Sequence, residues 1–169
     1  MIYFRVLFLS TVLLFVGCGY HLKQPYQLHP ALNNTHLNLA LTSPLYQPLA
    51  TALTNQGINL VDTDSADALM VIGFNQLRKE VQSIGVNNRV QEYRLDYQLD
   101  FKVYIDGELA LASRRLQISK DYAFDISQIT GAQSEEQLLR EQLYQDMAEI
   151  IIRYLANQSS QILTAESQP

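Results

Sequence analysis

Thirteen consecutive residues, YRLDYQLDFKVYI (93–105), alternate between large apolar and polar side chains. Tyr93, Leu95, Tyr97, Leu99, Phe101, Val103 and Ile105 share one phase, and Arg94, Asp96, Gln98, Asp100, Lys102 and Tyr104 share the other. A period of two places successive side chains on opposite faces of a strand, so this stretch predicts a long half-buried strand that organises a sheet. Asp106-Gly107 follows at once, a pair suited to the positive φ angles of a tight hairpin turn. The returning segment, ELALASRRLQISKDYAF, changes apolar phase from odd (Leu109, Leu111) to even (Leu116, Ile118). One inserted residue produces that change, which predicts a β-bulge around Arg114-Arg115.

Upstream, ALMVIGFNQL (68–77) is nearly continuous in apolar character and predicts a strand covered on both faces or central in its sheet. HLNLALT (36–42) alternates again, with Leu37, Leu39 and Leu41 in phase. SIGVNNR reads as a loop in which Asn87 and Asn88 tolerate left-handed backbone. Two helices complete the pattern. The first follows Ser43, with Pro48 in its opening turn, Leu49, Ala52 and Leu53 on one face, and Gly57 at its end. The second is expected to begin at Ser134, with Gln137 completing a capping box, and to bury Leu139, Leu143, Met147, Ile150, Ile151 and Tyr154. Glu136 and Arg140 stand four apart on it in the favourable order. The predicted fold is α+β: two helices packed on one face of a mainly four-stranded mixed or antiparallel sheet.

The amino terminus has a different texture. Arg5 precedes an apolar run from Val6 to Val16, about half the ~20 residues of a membrane-spanning helix. That is the anatomy of an export signal, and it ends at Cys18, the only cysteine in the chain. Leu14-Phe15-Val16-Gly17-Cys18 resembles the bacterial lipobox, in which the cysteine is acylated and becomes the first mature residue. By the same resemblance, Gly19 in place of Asp implies the outer membrane, on its periplasmic side. Residues 1–17 then form a signal peptide, 18–35 a lipidated lead segment, 36–156 one α+β domain, and 157–169 a polar tail expected to be disordered.

Composition narrows the function further. Twelve basic against 17 acidic residues give a net charge of −5, so there is no broad positive field for nucleic acid. Charged residues are 17% of the chain, against roughly 25% in an average globular protein, and amides and hydroxyls fill many polar positions. The three histidines, His21, His29 and His36, lack the spacing of familiar metal sites. No phosphate loop or catalytic constellation is evident, so neither an enzymatic activity nor a cofactor is expected. Basic residues do collect at strand ends: Arg78-Lys79, Arg89, Arg114-Arg115 and Lys120 could meet an acidic ligand if they converge.

The lipobox with CGYHL, the hairpin strands of QEYRLDYQLDFKVYIDG and the helix SEEQLLREQLYQDMAEIIIRYL together resemble the LptE family of lipopolysaccharide-assembly lipoproteins. That resemblance implies a plug inside the large outer-membrane β-barrel LptD, with a part in delivering lipopolysaccharide to the outer leaflet. It also implies lipopolysaccharide contacts from basic residues near the middle hairpin, here Arg89 with Arg78 and Lys79 close by. SQITGAQ (127–133), before Ser134, carries no basic residue for the second contact region of the family. A stand-alone lipoprotein holding a glycolipid or apolar ligand between sheet and helices is the alternative reading.

Overall fold

A computed structural model describes residues 26–125, 127 and 129–166. The signal peptide, Cys18 and His21 lie outside the described residues. Five strands and two helices form the body: β1 (Asn34–Asn38), α1 (Tyr46–Thr54), β2 (Asn59–Leu60), β3 (Ala68–Ile84), β4 (Val90–Ile105), β5 (Glu108–Ala123) and α2 (Ile129–Glu166). They build one mixed sheet in the order β2-β1-β3-β4-β5, with β1 parallel to both neighbours and the rest antiparallel. The helices pack against one face of it. The expected α+β architecture is present, with a fifth strand added at one edge by two residues of INLV.

β4 is the centre of the core. Leu95, Tyr97, Leu99, Phe101 and Val103 are essentially inaccessible, while Tyr93 and Ile105 at the ends are half-buried. At about 1.5–3 kcal/mol per buried large side chain, these five contribute on the order of 10 kcal/mol before chain entropy opposes them. Against them pack Leu45, Leu49 and Leu53 from α1 and its approach, and Leu143, Met147, Ile151 and Leu155 from α2. Phe101 meets Tyr154 edge-on at 5.5 Å, and Tyr97 meets Tyr144 at 5.1 Å.

Both tight turns are where the residues demand them. Asp106 (φ 50°) and Gly107 (φ 81°) make the β4–β5 turn, and Asn88 (φ 57°) closes the β3–β4 hairpin. The register of β4 with β5 breaks between Phe101↔Arg114 and Val103↔Leu111. One extra β5 residue falls at Ala112-Ser113, just before the position expected from the phase change, and a second shift between Val103↔Leu111 and Tyr104↔Leu109 adds another at Ala110.

β3 departs from expectation in length and cover. It runs seven residues past Leu77 to Ile84, and only Ala68, Met70 and Ile72 are buried along it. It is central in the sheet but covered on one face. A register shift between Ile72↔Phe101 and Asn75↔Leu99 inserts a residue at Gly73-Phe74 and moves the inward phase from even to odd numbers. β1 ends at Asn38, leaving Leu41 75% exposed, so the three-leucine strand face is shorter than its alternation implied.

Three boundaries need correction. The last helix begins at Ile129, and Ser134 lies inside it, its hydroxyl donating to the Thr130 carbonyl at 3.1 Å. A hydroxyl spent on the preceding turn cannot cap, so the Ser134-Gln137 box is not the helix start. The helix continues through Glu166, so residues 157–166 are not a disordered tail; Ser159 is buried and its hydroxyl accepts from the His29 backbone N–H at 2.9 Å. The lead segment, expected to stay outside the fold as far as residue 35, joins it from Tyr26. Tyr26 N–H donates to Gln56 Oε1 at 2.7 Å, Pro30–Leu32 form a 3-10 turn, and Leu32 and Thr35 are buried.

Candidate functional site

Two surfaces carry the polar chemistry of the molecule. The first is the uncovered face of β3–β4–β5, where directly paired residues from neighbouring strands stand side by side. Arg94 forks onto Asp121 (2.7 and 2.9 Å), and Arg115 forks onto Asp100 (2.9 and 3.1 Å) while lying over the Phe74 ring. Asp96, between them and only 7% exposed, accepts from the amides of Gln98 and Gln117, each at 2.7 Å. Each arginine holds the carboxyl of its partner below the usual carboxylate range and is itself raised. Opposite charges and amides thus satisfy each other within the sheet. The result is a flat, polar face of mixed sign, which favours a hydrated polar partner over an acyl layer.

The second surface is the far end of the β3–β4 hairpin and the start of α2. Because of the Gly73-Phe74 bulge, Lys79 points inward and Arg78 outward. Lys79 Nζ lies 4.0 Å from the Tyr93 ring centroid and 2.6 Å from Glu136 Oε2. Tyr122 donates to the same oxygen, and Arg140 donates to Glu136 Oε1 at 2.7 and 3.0 Å. Burial works to raise the Glu136 carboxyl, but the hydrogen bonds from Lys79, Tyr122 and Arg140 outweigh it and bring the group down to about 2. A concavity of about 420 Å³ opens beside this cluster, lined by Tyr93, Phe124, Gln133 and Gln137 among others.

The basic residues singled out in the sequence therefore do not converge. Lys79 is neutralised by Glu136 on the helix side, while Arg78 forks onto Gln76 Oε1 (3.0 and 2.8 Å) on the opposite face. Arg114 lies over Tyr154 and Lys120 pairs with Asp146 at 2.9 Å, both on the helix side, whereas Arg115 is outward. Arg89 alone of the three candidates stands in the hairpin turn. Its carbonyl accepts from Gly85 N–H at 2.8 Å, and its side chain has no partner among the described residues. Ile84 (59%) and Val86, fully exposed, flank it at the tip.

His29 and His36 are spent on backbone groups: His29 Nδ1 accepts from Ala31 N–H, and His36 Nδ1 sits 3.0 Å from the Val61 carbonyl. Among the described residues no His, Cys, Asp and Glu group is arranged to hold a metal, and no helix is long and apolar enough to cross a membrane. Sequence reasoning missed Glu136 as the hub of the hairpin cluster. Its spacing to Arg140 was visible, but its contact with Lys79, 57 residues away, was not.

The fold is that of small bacterial lipoproteins. The chain aligns with a minor lipoprotein of Acinetobacter baumannii (20% identity, 75% of this chain and 92% of that one, TM-score 0.64). It aligns with rare lipoprotein B of Shewanella oneidensis (20%, 77% and 98%, TM-score 0.67) and lipoprotein B of Nitrosomonas europaea (16%, 85% and 94%, TM-score 0.71). No curated protein matches it. Residues 26–155 match the model of the LptE family, described as lipopolysaccharide-assembly, and the chain belongs to that family. LptE is a family of assembly lipoproteins and not of enzymes.

Proposed function

We propose that this chain is a lipid-anchored subunit of the lipopolysaccharide translocon, held by acylated Cys18 at the periplasmic side of the outer membrane. There it serves as plug and assembly partner of an LptD-like β-barrel and takes part in delivering lipopolysaccharide to the outer leaflet. The observation that carries this reading is the family match across residues 26–155, nearly the whole folded body. Its physical support is the polar sheet face: Arg94–Asp121, Arg115–Asp100 and the amide-held Asp96 suit a water-lined wall. Around β4 the space between sheet and helices is filled with side chains, and the concavity of about 420 Å³ at the hairpin end carries the charges of Lys79, Glu136 and Arg140, which disfavours a stand-alone carrier of an apolar ligand.

Solubilised native outer membrane should yield the protein bound to a large β-barrel partner, identified by mass spectrometry. Recovery as a free monomer would count against the plug role. Cys18→Ala should move the protein from the membrane to the soluble periplasmic fraction, since acyl chains supply the anchoring at about 0.8 kcal/mol per buried methylene. An unchanged membrane fraction would refute the anchor.

For the lipopolysaccharide contact, Arg89 is the proposed residue, with Ile84 and Val86 beside it offering apolar surface to the same amphiphile. Arg78 and Lys79 remain candidates of the same family-derived set, though Lys79 already serves Glu136. Arg89→Ala should lower the lipopolysaccharide retained by the purified complex several-fold, and Arg78→Ala should lower it less. Equal retention by all three proteins would remove the hairpin turn from consideration.

A further inference from the structure

The two edges of the sheet differ. One ends in β2, two residues long, and the other is β5, which runs for 16. Bulges at Ala110 and Ala112-Ser113 distort the first part of β5, a common way of blunting an edge. From Arg114 to Ala123, however, it pairs with β4 one residue to one and contains no proline. Phe124 fixes the parity of that ladder, because its N–H donates to the Gln91 carbonyl at 2.7 Å. Even-numbered residues of this stretch therefore turn their backbone groups to β4, and Arg115, Gln117, Ser119, Asp121 and Ala123 turn theirs outward. All five are exposed, and among the described residues no strand or loop backbone bonds to them. Donors and acceptors alternating at this repeat match those of another strand.

We infer that this edge pairs with the same edge of a second copy of the chain, antiparallel across a two-fold axis at Ile118. In that register Arg115 stands opposite Asp121 of the second copy and Gln117 opposite its Ser119, and symmetry repeats both pairs. Four opposed pairs exchange about eight backbone hydrogen bonds, two for each. The charges continue a pattern already present within one copy. Asp100 and Arg115 pair in the sheet, as do Arg94 and Asp121, so each outer row across the junction reads Asp100, Arg115, then Asp121 and Arg94 of the second copy. Signs alternate along the whole row. On the helix side Ile118 meets Ile118 and Leu116 meets the stem of Lys120, with no like charges opposed. The concavity of about 290 Å³ beneath this edge, between β5 and α2, sets Lys120 and Arg153 against Asp146 and Glu149, a balance that does not repel its own copy. This inference is independent of the barrel and lipopolysaccharide readings, because it rests on the β5 edge alone.

Sedimentation velocity of the full-length protein in mild detergent should show a dimer that dissociates on dilution. Ser119→Pro removes an outward N–H that β4 does not use, a place where an edge strand tolerates proline, so it should weaken the dimer at least tenfold with an unchanged melting temperature. Single cysteines read the register in native membranes, independently of how that variant folds. Under mild oxidation Ile118→Cys, on the axis, should give a disulfide-linked homodimer at least fivefold above the unaltered chain. Arg115→Cys should stay at that background, since residue 115 lies six positions, about 20 Å, from its own copy along the junction. A monomer at every concentration, a dimer untouched by Ser119→Pro, equal linking at residues 115 and 118, or linking of residue 118 only to a different protein would overturn the proposal.

Discussion

Phe101→Ala lowers the unfolding free energy by about 3–5 kcal/mol, the range found when a fully buried aromatic is cut to a methyl. Phe101 is 1% exposed at the middle of β4, its neighbours across the ladder are Ile72 and Arg114, and Tyr154 meets its ring edge-on. The substitution removes transfer energy and an aromatic pair together, and β4 cannot move to close the gap because both its edges are hydrogen-bonded to long neighbours. Urea titration monitored by circular dichroism gives the number directly. A loss under 1 kcal/mol would mean that α2 collapses onto the sheet, and the core would be softer than its packing implies. Phe101→Leu, which keeps much of the volume, should lose less than half as much.

Glu136→Gln should lower stability by about 2–3 kcal/mol at neutral pH, because it leaves Lys79 and Arg140 without the carboxylate that both approach. The pH dependence carries the same information. The Glu136 carboxyl, ordinarily near 4.5, sits at about 2 in the folded protein, so the folded state binds its proton later than the unfolded chain. Its contribution is therefore complete above about pH 4.5 and is lost as pH falls toward 2. The interval corresponds to about 3 kcal/mol at 1.36 kcal/mol per pK unit, an upper bound given the partial exposure of Lys79. Wild-type urea midpoints should fall steeply between pH 4.5 and 2.5. In Glu136→Gln the same limb should be visibly shallower. Parallel acid limbs in the two proteins would show that Glu136 is not the hub.

Strand β4, the Asp106-Gly107 turn, the β5 irregularity and both helices were legible because each is written in local residues: a period of two, a dipeptide, a phase change, an apolar stripe. The second half of β3 was not, since RKEVQSI has no clean alternation and becomes strand through pairing along β4. That pairing is non-local. The bulge at Gly73-Phe74 left at most a glycine as its trace, yet it decides that Lys79 turns inward to Glu136 while Arg78 turns away. A cluster of basic residues along the sequence was thereby split between two faces. The start of α2 was misread for a related reason. Ser134 and Gln137 fit a cap by spacing, but the serine hydroxyl had the alternative of bonding the turn behind it, and a helix already under way from Ile129 uses that alternative.

The strap formed by His29 on Ser159 joins the first part of the folded chain to the second half of the last helix, and β1 follows it between two parallel neighbours. Tension arriving from the amino end must slide β1 lengthwise past β2 and β3, breaking bonds in both ladders simultaneously instead of unzipping them singly. The amino end of the described chain is thus mechanically the tough end of the molecule. Any pull applied at that end is resisted in shear.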